Sequence, residues 1–413
     1  MEETKSIPIT KRMVWNAYKK VKRNGGSAGV DFVEMETFDE NLSKNLYKLW
    51  NRLSSGSYFP LPVKEVEIPK KDGKVRKLGI PTIGDRIAQT VVKDYLEERF
   101  EKIFHPNSFG YRPRKSAHNA LDMVRKLTWK YSWVVDLDIS KFFDTLDHEL
   151  LLLALNKHVP EKWAIMYIVR WLNTPVQTKS EGLIRKCGIG TPQGGVISPL
   201  LANLYLHYAF DAWITKKFPY ISFVRYADDI VIHCESHEIA VNVLESVKER
   251  LNECRLTAHP EKTKLVYCKD CYRLETYPVI CFDFLGYTFK TRSNKRVIGT
   301  GRYPRFDLGV SRSACMKIIE VIRNSSMHKW SKATIEKIAD YFNPKIRGWI
   351  AYYGKFRKWN LAVVFNAFHL RLAKWALHRY KLKYYSKAIL FIKNVFKSNP
   401  NLFVHWTAGF TNI

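Results

Sequence analysis

Acidic residues are scarce in this sequence, and none occurs after Asp340. Lys and Arg number 68 against 39 Asp and Glu, so the formal net charge is +29. Residues 290–413 carry 25 of the cations and only four acids, which places +21 of that charge in the last 124 residues. This excess of positive charge is larger than solubility requires, so it predicts a polyanionic partner. Nucleic acid is a better candidate for that partner than a membrane surface.

Long apolar runs are also missing. No run approaches the ~18 apolar residues of a membrane-spanning helix, and the N-terminus has no apolar signal core. The seven cysteines are odd in number, and the CxxC pair at Cys268 and Cys271 has no second pair that would complete a zinc site. The sequence therefore predicts a cytoplasmic protein with reduced thiols and no membrane partner.

The most informative stretch is FVRYADDIVIH, residues 223–233. Two apolar runs flank Asp228 and Asp229, which predicts a strand, a tight turn and a second strand with the acids at the tip. Adjacent carboxylates beside a core repel each other unless a cation neutralises them, and Mg²⁺ prefers such oxygen ligands. The alternative is a solvated turn, because an isolated Asp-Asp pair is common in turns.

A second acidic stretch lies ninety residues upstream. Residues 134–139 have the pattern of a strand whose period of two puts Asp136 and Asp138 on one face, and Asp147 is a candidate N-cap for the next helix. Ionised carboxylates are rarely buried without a partner. If Asp138 lies beside Asp228, two segments could together hold two Mg²⁺ roughly 3.5–4 Å apart, a site for in-line phosphoryl transfer.

Two further segments supply cations and glycines. Val63–Pro81 has the pattern of two alternating strands around KDGK, and such a basic hairpin could close over a triphosphate or remain solvated. Gly194 and Gly195 permit close backbone approach, and Ser198-Pro199 predicts a helix start with a cap and a proline in the first turn. The glycine bend fits either the floor of a nucleotide site or a loop before a core helix.

In order along residues 20–290, these segments resemble the reverse transcriptase/maturase family encoded by group II introns, in the form that lacks a C-terminal endonuclease. Each motif alone is weak, but the ordered set is specific. The matching motifs are Ile68-Pro-Lys70 with Leu78–Pro81, Ser108–Pro113, Asp138–Asp144, Thr191–Gly195, Tyr226–Asp229, Glu261–Lys264 and Phe284–Tyr287.

The resemblance implies an α/β (α+β) fold of the right-hand polymerase type, with fingers, a palm built on an antiparallel sheet and a helical thumb/maturase domain. No His-Asn-His or paired CxxC endonuclease signature follows, so we expect no DNA cleavage by this chain. The implied domains are an N-terminal extension at 1–60, fingers at 61–130, a palm at 131–290 with finger elements around 160–200, a thumb/maturase domain at 291–375 and a basic tail at 376–413 that could bind DNA or RNA.

The resemblance also implies roles for individual residues. Asp138, Asp228 and Asp229 would be catalytic and would hold the metal, two Mg²⁺ ions for which Mn²⁺ can substitute. Lys262 would lie near the departing pyrophosphate as a candidate general acid, with a solvated lysine as the alternative. The other substrate-binding residues would be Lys70 and Arg76 at the triphosphate, Phe142 or its neighbour Phe143 near the sugar, and Gln193 and Gly194 at the floor. The primer- or template-binding residues would be Arg112, Phe284, Leu285, Gly286, Tyr287, Lys345 and Arg347.

The predicted function is that of an RNA-directed DNA polymerase, a nucleotidyltransferase, that also binds structured intron RNA and assists its splicing. Its partners would be an RNA template, a DNA or RNA primer, dNTPs and group II intron RNA, in the bacterial cytoplasm or nucleoid. Two alternatives remain at this point. The chain could act mainly as a maturase by binding RNA, or it could be a stand-alone group II-like reverse transcriptase in DNA repair or phage defence.

Overall fold

The computed structural model describes residues 7–69, 75–178, 182–184, 188–295 and 301–412. These residues divide into two compact units. Unit 1 comprises Met1–Ser116, Val135–Ile232 and His237–Lys264, and unit 2 comprises Ala117–Val134, His233–Ser236 and Leu265–Ile413. The mixture of helices with largely antiparallel sheets confirms the predicted α/β (α+β) class.

Helices dominate the chain and are interrupted by short strands. In chain order the helices are α1 (Lys11–Asn24), α2 (Met35–Glu40), α3 (Leu42–Ser55), α4 (Ile83–Glu101), α5 (Ala117–Lys130), α6 (Phe142–Thr145), α7 (His148–His158), α8 (Lys162–Leu172), α9 (Ser198–Leu206), α10 (Ala212–Lys217), α11 (His237–Glu253), α12 (Arg312–Asn324), α13 (Ile335–Tyr353), α14 (Ala362–Arg379), α15 (Tyr385–Ser398) and α16 (Val404–Thr407). None of those found in the described ranges is both long enough and apolar enough to cross a membrane.

The strands form three sheets, with orders β2-β1-β4-β5, β6-β7-β3-β8 and β11-β10-β9. Their bounds are β1 (Val63–Pro69), β2 (Val75–Ile80), β3 (Trp133–Asp138), β4 (Val176–Thr178), β5 (Gly182–Ile184), β6 (Ser222–Tyr226), β7 (Asp229–Cys234), β8 (Lys264–Tyr267), β9 (Cys281–Phe284), β10 (Tyr287–Lys295) and β11 (Arg302–Val310).

The predicted basic hairpin of unit 1 is present as β1 and β2. The strands pair antiparallel, with Val66 opposite Leu78 and Ile68 opposite Arg76. β1 also pairs in parallel with β4, so the hairpin belongs to a larger sheet. The tip of the hairpin, which includes the predicted triphosphate cation Lys70, lies outside the described residues.

The strand-turn-strand pattern around the adjacent acids is confirmed. β6 ends at Tyr226, Ala227 and Asp228 form the turn, and β7 begins at Asp229. Ala227 has a φ of 57°, in the left-handed region that non-glycine residues seldom adopt. Strained backbone of this kind persists only where the surrounding structure enforces it, which makes the turn a well-defined platform for its carboxylates.

The second acidic stretch also folds as predicted. In β3 the side chains of Asp136 and Asp138 are half-buried while Leu137 between them is buried, so the two acids share a face. The Asp147 side chain accepts a hydrogen bond from the N–H of Leu150 at 3.0 Å, and this confirms its role as the N-cap of α7.

The first turns of α4 anchor three loops of unit 1. The buried carboxylate of Asp85 accepts hydrogen bonds from the Tyr58 hydroxyl and from the N–H of Leu61. Arg86 donates to the carbonyl of Ser27 in the glycine-rich N-terminal loop. The side-chain oxygen of Gln89 accepts from the N–H groups of Val196 and Ile197, at 2.8 and 3.3 Å. One helix therefore fixes three segments that are far apart in sequence.

Unit 2 contains a helical bundle with a continuous apolar core. Sequence patterning predicts a helix over 334–342, but α13 continues to Tyr353 with Pro344 inside it. Proline removes one helical hydrogen bond, whereas Phe342 and Ile346 on either side of it are fully buried and keep the helix on the core.

The C-terminal segment shares this core instead of forming a separate tail. α14 passes through the predicted boundary at 375/376 without a break. Ile392, Phe403 and Trp406 are buried in the cluster that also contains Phe342. The basic charge of the segment is therefore displayed on a folded surface.

A buried histidine pair ties the end of the chain to α14. His369 contacts His405 through their Nε2 atoms at 2.8 Å, and Trp406 donates its indole N–H to His369 at 3.1 Å. The other ring nitrogen of His369 contacts the carbonyl oxygen of Asn412 at 3.0 Å. Burial lowers the pKa of His369 to about 4, and burial followed by His369 lowers the pKa of His405 well below its usual range.

This pair makes the C-terminal segment acid-sensitive. The folded segment holds both rings neutral, whereas the unfolded chain protonates them near pH 6.5, so stability is complete above that pH and falls as the pH drops toward 4. Hydrogen exchange over 403–412, corrected for intrinsic rates, is expected to show more opening at pH 5 than at pH 7. His369→Phe should flatten this dependence, and exposed His378→Gln on the same helix should not. Equal flattening by both variants would contradict the assignment.

Candidate active site

Three carboxylates of unit 1 lie at the ends of neighbouring strands. Asp138 is the last residue of β3, Asp229 is the first residue of β7, and Asp228 lies in the turn before it. β3 and β7 are adjacent in the sheet. Asp138 and Asp228 are half-buried, while Asp229 keeps surface contact with solvent.

The electrostatics of these acids indicate mutual repulsion. Burial, followed by the charges of Asp228 and Asp138, raises the pKa of Asp229 to about 7. Burial and Asp138 likewise raise the pKa of Asp228. Asp229 is accessible to water, but the protein around it removes much of the bulk solvent that would stabilise its charge. The three groups therefore form one coupled set that favours a bound cation.

Lys262 supplies a positive charge to this set. Its ammonium group donates to Oδ2 of Asp138 at 2.7 Å. The hydrogen bond to Asp138 is the main cause that raises the pKa of Lys262, and the charges of Asp229 and Asp228 add to it. Lys262 is therefore a protonated donor at neutral pH, as a group that faces a departing anion must be.

The donor set fits a hard divalent cation. All the ligands offered are carboxylate oxygens, which Mg²⁺ prefers, and cation binding would relieve the repulsion between Asp228 and Asp229. Across the five described ranges, however, no three His, Cys, Asp or Glu side chains converge as metal ligands do. One oxygen of Asp138 is instead engaged by Lys262.

A cation and an amide of the predicted triphosphate region are also brought together. Nε of Arg76 donates to Oε1 of Gln193 at 3.0 Å. The N–H of Gly79 donates to the carbonyl of Gln193 at 2.7 Å, and a Cβ at Gly194 would lie 2.3 Å from the Gly79 carbonyl oxygen. Gly194 has a φ of 122°, so both its conformation and its surroundings require glycine.

These residues line a cleft of about 470 Å³ in unit 1. Its walls include Arg76, Gln193, Lys141 and Asp144. Arg76 also lowers the pKa of Asp228, which places its charge within electrostatic reach of the acids. One wall of the cleft therefore lies within electrostatic reach of Asp228.

The helix start at Ser198-Pro199 is only partly as predicted. α9 has a proline in its first turn, but Ile197 is the N-cap residue. The Ser198 hydroxyl is hydrogen-bonded to the Thr191 hydroxyl at 2.8 Å, and the N–H groups of Leu200 and Leu201 donate to the carbonyl of Ile197. Gln89 of α4 accepts from the N–H groups of Val196 and Ile197, so it holds the segment that leads into α9.

Phe142 does not face the cleft. Its ring is 2 % exposed and packs against Tyr205 and Phe143. A ring buried to that degree cannot touch a bound sugar, whereas the neighbouring Phe143 is half-buried. Of the two candidates, the structure makes Phe143 the available one.

Arg112 is committed to the fold of unit 1. Its guanidinium donates to Glu101 through Nε and to the carbonyls of His105 and Ser108 through NH1, and it pairs with Glu101 at 2.8 Å. The side chain is buried and stacks on Phe104. This packing contradicts the prediction that Arg112 binds primer or template directly, because its donors are already occupied.

The predicted primer hairpin lies in unit 2 as the turn between β9 and β10. Phe284 and Tyr287 are buried, and the Tyr287 hydroxyl donates to the carbonyl of Tyr352. Leu285 and Gly286 have φ values of 49° and 79° and are half-buried. Side-chain contact by Phe284 or Tyr287 is therefore contradicted, and only the Leu285-Gly286 turn remains accessible.

The two cations predicted on α13 are at the surface of unit 2. Arg347 is exposed. The ammonium group of Lys345 lies 3.4 Å from the centroid of the Tyr341 ring, a cation–π contact that leaves its remaining hydrogens available to a phosphate.

Two features of the site have no individual role in the sequence-based prediction. Tyr111 is exposed beside the carboxylate turn, and burial followed by the charge of Asp228 raises the pKa of its phenol. Arg225 and Asp211 form a fully buried ion pair beneath the same turn. The sequence feature that indicates this ion pair is Arg225, a charged residue in the middle of an apolar strand.

Comparison with known proteins matches two domain models. The first, "Reverse transcriptase (RNA-dependent DNA polymerase)", matches residues 68–289, more than half of the chain. The second, "Group II intron, maturase-specific domain", matches residues 315–390. Both confirm the resemblance drawn from the motifs. Proteins of the first family generally use divalent metal ions.

Curated relatives agree with the domain models. Protein YkfC of Escherichia coli K12 is 32 % identical over 286 residues, covering 59 % of this chain and 73 % of the relative. The group II intron-encoded protein LtrA of Lactococcus lactis is 34 % identical over 192 residues, or 46 % of this chain and 32 % of LtrA. The putative COX1/OXI3 intron 1 protein of Saccharomyces cerevisiae is 30 % identical over 202 residues, or 49 % of this chain and 24 % of that protein.

The chain thus aligns with about a third or less of the length of the two intron proteins, and with almost three quarters of YkfC. Its polymerase domain precedes its maturase domain, and the coupled carboxylates lie inside the first match. The chain belongs to the reverse transcriptase/maturase family of group II introns.

Proposed function

We propose that this chain extends a DNA or RNA primer on an RNA template, using dNTPs. The observation that carries the proposal is the coupling of Asp138, Asp228 and Asp229 beside a cleft that contains Arg76 and Gln193. Carboxylates that repel each other without a cation, next to a cation suited to phosphates, are the arrangement that in-line nucleotidyl transfer requires.

In this proposal each group has a separate task. Asp138, Asp228 and Asp229 hold two Mg²⁺ ions, and Mn²⁺ can substitute. Bound metal supplies Lewis-acid stabilisation of the charge on the attacking and leaving oxygens. Arg76 orients the triphosphate while Gln193 fixes the Arg76 side chain. The primer 3′-hydroxyl attacks the α-phosphorus and pyrophosphate leaves.

Lys262 completes the charge balance. In the structure its ammonium group pairs with Asp138, and in the proposal this group would donate a proton or a hydrogen bond to the departing pyrophosphate. Lys70 is proposed as a second triphosphate cation and Phe143 as the ring at the sugar.

The direct test is primer extension on an RNA template with Mg²⁺. A labelled primer should lengthen with dNTPs and only poorly with rNTPs, and omission of the divalent metal should stop the reaction. Comparable incorporation of rNTPs would indicate an RNA polymerase. No extension on any template would contradict the proposal.

A second activity, binding intron RNA to assist splicing, is favoured by the cationic surface of unit 2. A groove of about 460 Å³ between α12 and α14 has an apolar floor and three cations at its rim, Arg323, Arg371 and Lys374. The groove lies within the residues that match the maturase-specific domain. Phosphate contacts by such cations, with stacking by nearby rings, suit structured RNA.

Charge removal from this groove is expected to separate the two activities. Arg371→Gln with Lys374→Gln should lower the salt dependence of intron RNA binding by about two counterions and slow splicing. Primer extension on a short duplex should remain close to wild type, because the groove lies outside the matched polymerase domain. Lys216→Gln with Lys248→Gln is the control that removes two exposed charges from unit 1. An equal effect of the control variant on splicing would argue against a specific groove.

A further inference from the structure

An exposed tyrosine, Tyr111, stands next to the turn that carries Asp228. Tyr111 is 54 % exposed, and its φ of 58° puts it in the left-handed region. An aromatic ring gains nothing in folding from exposure, and the left-handed conformation is unfavourable for a non-glycine residue. The fold must therefore hold Tyr111 in this place through its neighbours.

Those neighbours connect Tyr111 to the carboxylate turn. Gly110 packs flat against Ala227, since a Cβ at Gly110 would lie 2.4 Å from the Ala227 nitrogen. Asn203 donates to the Gly110 carbonyl at 2.8 Å and accepts from Arg225 at 2.9 Å. The backbone of Tyr111 is thereby fixed to the same atoms that fix the turn.

The strand before the turn adds a second connection. The N–H of Phe109 donates to the carbonyl of Arg225 at 2.8 Å, and the N–H of Arg225 donates to the carbonyl of Asn107 at 2.9 Å. Residues 107–109 thus run beside β6 and end where β6 enters the acidic turn. Tyr111 emerges at that end.

The electrostatic surroundings of the phenol agree with this position. After burial, Asp228 and Tyr226 raise its pKa, Arg76 lowers it and Asp229 raises it. The ring therefore lies within reach of both the metal-binding acids and the triphosphate cation. In the proposed mechanism, the base pair at the primer terminus lies between these acids and the triphosphate cation.

We propose that the ring of Tyr111 contacts the base pair at the primer terminus and holds the primer end for attack. The inference rests on the proposed polymerase function and adds a substrate-contacting residue to it. Aromatic contact suits this task because every base pair has an apolar surface, so the contact tolerates any sequence.

The test uses single-nucleotide incorporation by the full chain. Tyr111→Ala is expected to lower kcat/KM for the complementary dNTP by about fivefold or more, the scale of losing one base–aromatic contact. Tyr111→Phe keeps the ring and should stay within about twofold of wild type. Tyr220→Ala is the matched control, because Tyr220 is 60 % exposed in the same unit. An unaffected Tyr111→Ala, a Tyr111→Phe as impaired as Tyr111→Ala, or an equal loss in the control would overturn the proposal.

A second measurement separates this inference from the polymerase proposal. A primer that ends in 2-aminopurine reports stacking at its terminus by fluorescence and needs no chemistry. Bound to wild type it should be dimmer than bound to Tyr111→Ala, and equal emission from both complexes would refute the contact. If wild type does not extend primers but still shows the Tyr111-dependent quenching, the polymerase proposal fails and the contact stands.

Discussion

Asp228→Ala is expected to reduce primer extension by on the order of 10³-fold or more while leaving RNA affinity nearly unchanged. The size follows from losing several kcal/mol of transition-state stabilisation when a metal ligand is removed, at one factor of ten per 1.36 kcal/mol. RNA affinity should survive because it depends on phosphate contacts to cations. Both quantities can be measured on the same preparation, by extension of a labelled primer and by filter binding.

Asp136→Asn is the matched control for that experiment. It removes a carboxylate two residues before Asp138 on the same face of β3, without any role assigned in catalysis. We expect it to retain most of the activity. Primer extension that persists in Asp228→Ala would refute the metal-site assignment, and loss of activity in both variants would mean that carboxylate charge in general, not ligation, is being measured.

The largest expected effect on stability comes from Asp211→Ala. Arg225 and Asp211 are both 0 % exposed, and the guanidinium donates to both carboxylate oxygens, at 2.7 Å through Nε and 2.5 Å through NH2. Removing the carboxylate leaves an uncompensated charge in the core, which typically costs 3–5 kcal/mol, an order-of-magnitude figure. Denaturant titration with pulse proteolysis of unit 1 segments would measure the loss.

Two further variants make this result interpretable. Glu245→Ala breaks a surface pair with Lys248, whose side chains are 61 % and 43 % exposed, and should cost no more than about 1 kcal/mol. Asp211→Leu combined with Arg225→Met replaces the buried pair by apolar side chains and should recover much of the stability. A loss in Asp211→Ala no larger than that in Glu245→Ala would contradict the account.

Prediction from sequence worked where a local pattern determines the structure. The acids at 228 and 229 sit on a hairpin turn because apolar strands on both sides fix the period, and Asp147 caps α7 because its side chain needs only the N–H three residues on. The hairpin of β1 and β2 forms for the same reason.

The errors occurred where tertiary packing decides which side chains are accessible. Phe142 and Phe143 have the same composition and adjacent positions, and only packing against Tyr205 determines which is buried. Arg112 matches a nucleic-acid motif, yet Glu101 and two carbonyls occupy its donors. The Phe142 contact joins residues far apart in the chain, and the Arg112 contacts, although close in sequence, form only in the folded loop.

The anchoring of three segments by α4 affects how the chain loses activity on heating. Asp85, Arg86 and Gln89 lie within the first two turns of one helix, and the approach to β1, the glycine-rich loop and the segment that leads into α9 each depend on one of them. Unwinding the start of that helix would release all three segments together. Thermal inactivation of this chain should accordingly be abrupt, with a midpoint set by the opening of a single helix end and below the temperature at which the core melts.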